Sequence, residues 1–284
     1  NGTSWSSVAS GRTTTFVKVW GSGARDVWFV DQNCGLLHWN GTAMASSSLG
    51  LGGCNTAYGT GPNDFWVSGV LSLAHWNGST WTTVSAGFPF PLFTGNAMWG
   101  SSPTNYWAGG TSGFLQHYQG SSWSFDSFLA SDVQSLWGSG SSDVWAVGNG
   151  GAAWRRKAPS GFALMPTGTT VDLAAVHVVS SSEVYVGGDQ STLLRFDGSG
   201  FSSVALPQLR FGQRNYRMVV GIAGERSSPR GLWVLVSGGE VIELHEGKPP
   251  VIHSLHFEGN SIGFTTPNEL VVVGSGESIV RKTL

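Results

Sequence analysis

Charge is scarce in this chain. Asp, Glu, Lys and Arg together make up 11% of its 284 residues, against roughly 25% in an ordinary soluble domain. The 15 basic and 17 acidic residues nearly cancel, leaving a formal net charge of −2. Such a balance exerts no general pull toward nucleic acid or acidic membranes, so no nucleic-acid partner is expected. No apolar run approaches the ~18 residues of a spanning helix, so no transmembrane segment is expected either. There is no His-Glu-x-x-His metal signature, and no glycine-rich turn carries the lysine of a phosphate loop. No amphipathic helical period stands out. The chain opens at Asn1 without an initiator Met or a signal-peptide pattern, and reads as a processed or trimmed product.

Glycine, tryptophan and phenylalanine are plentiful instead, at 42, 14 and 15 residues, and hydrophobic residues reach 40%. That is ample material for a core, and sheet-rich chains of this length commonly form one domain, here residues 1–284. One motif recurs: "VWGSGARDVWFV" from Val19, "AYGTGPNDFWVSG" from Ala57, "MWGSSPTNYWAGG" from Met98 and "LWGSGSSDVWAVG" from Leu136. Weaker copies start at Val176, Glu225 and Gly263. The turn positions Asp26, Asp64, Asn105, Asp143, Glu183, Gly231 and Glu269 recur at intervals of about 40 residues, the period of a propeller blade. Only the Glu183–Gly231 interval is markedly longer.

A second motif follows the first: "LLHWNGT", "LAHWNGSTWTTV", "LQHYQGSSWSF" and "LLRFDGSGFSSV". Asn-Gly between apolar runs marks a hairpin whose central residues both take positive φ. Each unit therefore reads as four short strands. The opening "NGTSWSSVAS" lacks a beginning and the closing "GESIVRKTL" lacks an end, so each supplies what the other is missing. The expected fold is all-β: a seven-bladed β-propeller of four-stranded blades, with the N-terminal strand completing the C-terminal blade. Closure removes the exposed sheet edges that invite aggregation.

Units of the form V-W-G-S-G-x-x-D-V-W-A-V-G…H-W-N-G-S-x-W resemble the Trp-rich propeller repeats of secreted or surface proteins in gliding, predatory soil bacteria. The likeness covers nearly the whole chain, strongly in the first four units and loosely in the last two. It implies a propeller fold and an extracytoplasmic address (secreted, periplasmic or cell-surface), but no single activity, since a fold does not fix function. The chain departs from WD repeats, lacking their Gly-His and Trp-Asp pairs.

The repeated residues read first as structure. The turn carboxylates are expected to accept local backbone N–H groups, and copies on separate blades lie too far apart for the ~5–9.5 Å of a glycosidase pair. His38, His75 and His117, with Arg155 and Arg195 in related places, diverge radially and read as polar positions on outer strands. His245, His253 and His256 are a minor metal candidate. No catalytic set, metal site or cofactor is assigned. Trp28, Trp66, Trp107, Trp145, Tyr185 and Trp233 should fill the gaps between blades. Trp20, Tyr58, Trp99, Trp137 and His177 either rim the channel or pack in the core. The run Arg155-Arg156-Lys157 reads as a solvated patch. The Asn-Gly sequons at Asn1, Asn40 and Asn77 are turn chemistry first and glycan acceptors second.

Cys34 and Cys54 are either two free thiols or a bridge between neighbouring blades, which would favour an oxidising compartment. Two loops break the repeat. "GFPFPLFTG" carries Phe88, Phe90 and Phe93; "PQLRFGQRNYR" carries Arg210, Phe211, Arg214, Tyr216 and Arg217. Both join a fourth strand to the next blade, so both should emerge on one face. Arg and aromatic residues are favoured interface anchors, although the Phe-Pro loop could equally plug the channel. The expected function is non-enzymatic: an extracytoplasmic binding or scaffolding propeller engaging a protein or cell-surface partner through those loops. The alternative is a lectin with aromatic sites between blades. An enzyme with its site at the channel mouth ranks third.

Overall fold

A computed structural model describes residues 4–70, 72–85, 95–208, 217–224, 231–276 and 278–284. Its strands form seven antiparallel sheets of four strands each. The innermost strands are Phe16–Gly23, Cys54–Gly61, Gly95–Ser102, Val133–Gly140, Leu173–Ser180, Val219–Gly224 and Gly259–Thr266. Each packs on the next, and the last returns to the first, closing a ring. Helix is confined, among the described residues, to the short 3-10 turns Thr111–Gly113 and Asn149–Gly151. None of the described helices is long and apolar enough to cross a membrane.

The seventh blade is shared by the two ends of the chain. Strand Ser6–Ser7 pairs with Ile279–Thr283, Ser6 opposite Arg281 and Ser7 opposite Val280. The Val8 N–H continues the ladder to the Ile279 carbonyl at 2.9 Å. Trp5 then packs edge-on to Trp233 of the sixth blade, with ring centroids 6.4 Å apart.

Between blades the core is aromatic. Trp28, Trp66, Trp107, Trp145 and Trp233 are all at most 3% exposed, so their large apolar faces fill the wedge-shaped gaps that flat sheets would leave. Tyr185, the sixth member of that ladder, is half-buried.

Two local expectations need correction. In the outer hairpins Asn40 does not take positive φ; only Gly41 does, at 92°. Trp39 pairs with Met44, so the loop has four residues, and Asn40 Oδ1 accepts the Thr42 and Ala43 N–H groups at 3.0 and 2.9 Å. The Asn side chain closes the turn as an Asx motif while glycine alone supplies the left-handed residue. The same arrangement recurs at Asn77 and Asp197.

The second correction concerns the turn carboxylates, which serve side chains rather than local backbone. Asp26 takes the Ser22 hydroxyl at 2.5 Å and His38 Nε2 at 2.7 Å. Asp64 takes Thr60 and His75; Asp143 takes Ser139 and, through two oxygens, Arg155 at 2.8 Å each. The third-strand His rings lie flat on the second-strand Trp rings, with centroids 3.8 Å apart for Trp28–His38, 4.2 Å for Trp66–His75 and 3.9 Å for Trp107–His117. Arg155 takes the same place over Trp145 at 4.9 Å. In the first, second and fourth blades a hydroxyl, an acid, a His or Arg and an indole form one repeated stack, so these His and Arg side chains are packed within the blades. Arg155 is only 8% exposed, which removes it from the solvated patch; Arg156 lies over Trp107 at 5.0 Å, and only Lys157 is exposed.

Candidate functional site

The disulfide orients the rest of the molecule. Cys34 sits in the loop between the second and third strands of the first blade, and Cys54 opens the inner strand of the second. Their sulfurs are bonded at 2.09 Å. Loops of both kinds therefore meet on one face of the ring. The same junction recurs without sulfur: Asp132 Oδ1 accepts the Ser112 N–H at 2.6 Å and Asp172 Oδ1 the Gly150 N–H at 2.7 Å. In each case a residue leading into one blade captures the preceding blade's loop.

Just inside this face every inner strand carries a β-bulge. Opposite the second strand, the register skips one residue at the strand's second position in all seven blades. A bulge leaves that residue unpaired and re-aims its side chain. The skipped residue is an amide in four blades, Asn55, Asn96, Gln134 and Asn260, and Val17, Ala174 or Val220 in the others. Repeated seven times around the axis, the bulges build the wall of a central chamber of about 170 Å³. Trp137 lines its deeper part, with Tyr58 edge-on to it at 5.8 Å.

Lys18, next to the bulged Val17, is the single charged residue among those lining the chamber. Burial pulls its ammonium below the usual lysine range. Two of the amides are already engaged: Asn260 Nδ2 donates to the Phe16 carbonyl at 2.9 Å, and Gln134 Nε2 to Asn149 Oδ1 at 3.0 Å.

The two non-repeating loops lie mostly outside the described residues. Phe88, Phe90 and Phe93 fall between strands Trp81–Ser85 and Gly95–Ser102; Arg210, Phe211, Arg214 and Tyr216 fall between Phe201–Ser203 and Val219–Gly224. Arg217 is described, and it points inward. Its Nη1 donates to the Ser237 carbonyl at 2.6 Å, and Nη2 lies 3.7 Å from Glu240. Its backbone N–H donates to Ser191 Oγ at 3.1 Å. It ties the fifth blade to the sixth rather than standing free on the rim.

His245 and His253 do converge, but on Glu243, at 2.6 and 2.9 Å. Burial raises the Glu243 carboxyl, yet the two His hydrogen bonds outweigh it and hold the group below its ordinary value. His256 is exposed in the following loop. Among the described residues no cluster of His, Cys, Asp or Glu has the form of a metal site. In the third blade Asn105 stands where its neighbours have an acid. Burial chiefly lowers the His117 pKa there, with Arg156 adding to it and Asp126 opposing. That ring sits 2.7 Å from an amide oxygen instead of a carboxylate.

One string has the spacing of a hydrolase nucleophile turn: Gly259-Asn260-Ser261-Ile262-Gly263. It lies wholly inside the strand Gly259–Thr266, whereas that chemistry needs a strand-to-helix turn. Ser261 is 5% exposed and its Oγ accepts the Val19 N–H across the blade junction.

With this geometry in place, the chain belongs to the seven-bladed propellers by fold. It is similar to the structure of YCF48 bound to D1 peptide (TM-score 0.79, 15% identity, 99% of this chain and 95% of that one). It is similar also to the RRP9 WD40 repeats (0.80, 10%, 99% and 97%) and to streptogramin B lyase (0.80, 10%, 98% and 96%). At such identities the likeness is one of fold. No family model matches the sequence, and no curated protein matches it.

Proposed function

We propose that residues 1–284 form one propeller domain that binds or scaffolds a partner and catalyses nothing. The partner is a protein or cell-surface molecule, held on the face where Cys34, Cys54 and the channel mouth meet. One observation carries the reading: the disulfide joins the two loop classes on one side, and in the sequence both repeat-breaking segments connect a fourth strand to the next inner strand, as the segment leading to Cys54 does. Those loops hold Phe88, Phe90, Phe93, Arg210, Phe211, Arg214 and Tyr216, residue types that anchor interfaces. The similar YCF48 structure holds a peptide, which supports a peptide or protein as partner. The turn acids Asp26, Asp64 and Asp143 are taken up by hydroxyl, His and Arg side chains packed beside them, which favours binding over chemistry. The disulfide also favours an extracytoplasmic address, in keeping with the bacterial surface repeats the sequence resembles.

The test compares partner capture from the native source by the wild type, by Arg210→Ala/Arg214→Ala and by Phe88→Ser/Phe90→Ser/Phe93→Ser. Both variants should keep the wild-type Tm and lose most of the capture; equal capture by both removes this face. A lectin would instead quench tryptophan fluorescence on sugar titration, with several equivalent sites. That alternative is the weaker one, because the inter-blade indoles it would use are buried beneath His and Arg side chains.

A further inference from the structure

We propose that the central chamber is a binding site for a small carboxylate, with Lys18 as its counter-cation. This goes beyond partner binding on the rim and rests on different residues. Seven bulges convert the start of each inner strand into a ring that faces the axis, and four of the ring members are amides. A chamber with a purely structural role would be filled by apolar side chains, as the inter-blade spaces are. This one is polar, and among the described residues its lining contains no acid.

The chemistry of the lining is specific. Lys18 brings the one positive charge of the lining, and its side chain takes part in no hydrogen bond or ion pair among the described residues. Asn55, which is exposed, and Asn96, which is half-buried, also line the chamber and make no side-chain hydrogen bond among the described residues. Thr56, 3% exposed, adds a hydroxyl to the same wall. Lys18 is half-buried in the wall of the chamber, and an anion that brings both charge and acceptor oxygens compensates its ammonium there. One lysine matches one negative charge, so a monoanion fits; a dianion would leave half its charge uncompensated in the same enclosure. A carboxylate has the planar pair of oxygens that an ammonium and two amide donors can share. The chamber volume, several times a water's share of about 30 Å³, accommodates a short organic acid and not a large one. The burial that lowers the Lys18 pKa supplies a readout, since an anion alongside pushes it back up.

The experiment uses the full chain labelled at lysine Nζ for NMR, with Lys18→Met assigning the resonance. Sodium acetate should move that signal saturably and raise the titration midpoint of Lys18, while acetamide, its neutral isostere, should do neither. Lys18→Met should weaken acetate binding at least about tenfold, read independently on the methyl resonance of ¹³C-acetate. Asn96→Ala should weaken it less, and Lys18→Arg should restore part of the loss. Lactate and N-acetylalanine, compared with acetate, distinguish a free short acid from the carboxyl end of a peptide; tighter binding of either retains the assignment. Undiminished acetate binding in Lys18→Met, an equal response to acetamide, or no saturable response in the wild type overturns it. Sulfate binding more tightly than acetate overturns the monoanion assignment. The rim variants above leave acetate binding unchanged, so the two readings fail separately.

Discussion

At the scale of single residues, stability concentrates in the stacked acid–cation pairs. Asp143 and Arg155 are 10% and 8% exposed as side chains and share two hydrogen bonds. Arg155 also donates to the Ser181 carbonyl of the next blade at 2.6 Å. Removing one partner leaves the other charge buried, so Asp143→Ala should cost about 3–5 kcal/mol in urea unfolding. The exposed pair Arg281–Glu269, with an arginine side chain 57% accessible, should cost below about 1 kcal/mol when broken. Asp64 shows a second consequence. Burial pushes its carboxyl up, but hydrogen bonds from His75, Thr60 and Tyr106 outweigh this and hold it below the ordinary value. Glu243 behaves likewise. A carboxyl with a depressed folded-state pKa stabilises the fold above its unfolded pKa, about 4, and loses that contribution as the pH falls through the folded value. Acidification below about pH 4 should therefore lower Tm, and Asp64→Asn should flatten that dependence; an unchanged acid limb would contradict the pairing.

At the scale of elements, the blade junctions decide how the ring holds its shape. The bridge between Cys34 and Cys54 closes a loop with a sequence separation of 20, worth about 3 kcal/mol in the chain-entropy model. Reduction should lower Tm by roughly 5 °C; mass spectrometry finding two free thiols in native protein would contradict the bond. The strands and their order were legible because the Trp-Gly, Asp and Val-Trp positions repeat at a blade's period. Repetition also showed that His38, His75 and His117 are equivalent. It did not show that they pair with Asp26, Asp64 and Asn105, because those contacts join positions 11 or 12 residues apart across two hairpin strands. The channel wall was hidden for another reason. Val17, Asn55, Asn96, Gln134, Ala174, Val220 and Asn260 are not one residue type, and only the skipped register makes them a ring. A side-chain alignment at the second strand position would have found the amides, with Lys18 beside them.

At the scale of the whole molecule, the ring is held shut by a very short strand. Ser6 and Ser7 pair with the final blade, and Trp5 is wedged against Trp233. Deleting residues 1–9 should uncover the edge of Ile279–Thr283 and, with it, unpaired backbone groups that template association. Light scattering should then report oligomers, and Tm should fall; a monomer of unaltered Tm would mean that this strand contributes little. Trp5→Ala should give a milder loss with the monomer retained, since the strand stays while its aromatic wedge is gone.

The Ser6 hydroxyl meets the Arg281 carbonyl across 275 positions of sequence, which sets an order on the protein's making. Strand Ser6–Ser7 is made before any other strand of the ring and has no partner until Ile279–Thr283 has emerged, so six sheets can assemble during synthesis while the seventh waits. Closing so distant a contact is slow, because the chain entropy it removes is lost before the pairing returns anything. A product that stops short of Ile279–Thr283 thus cannot mimic the finished ring: the seal forms only once that strand has been made.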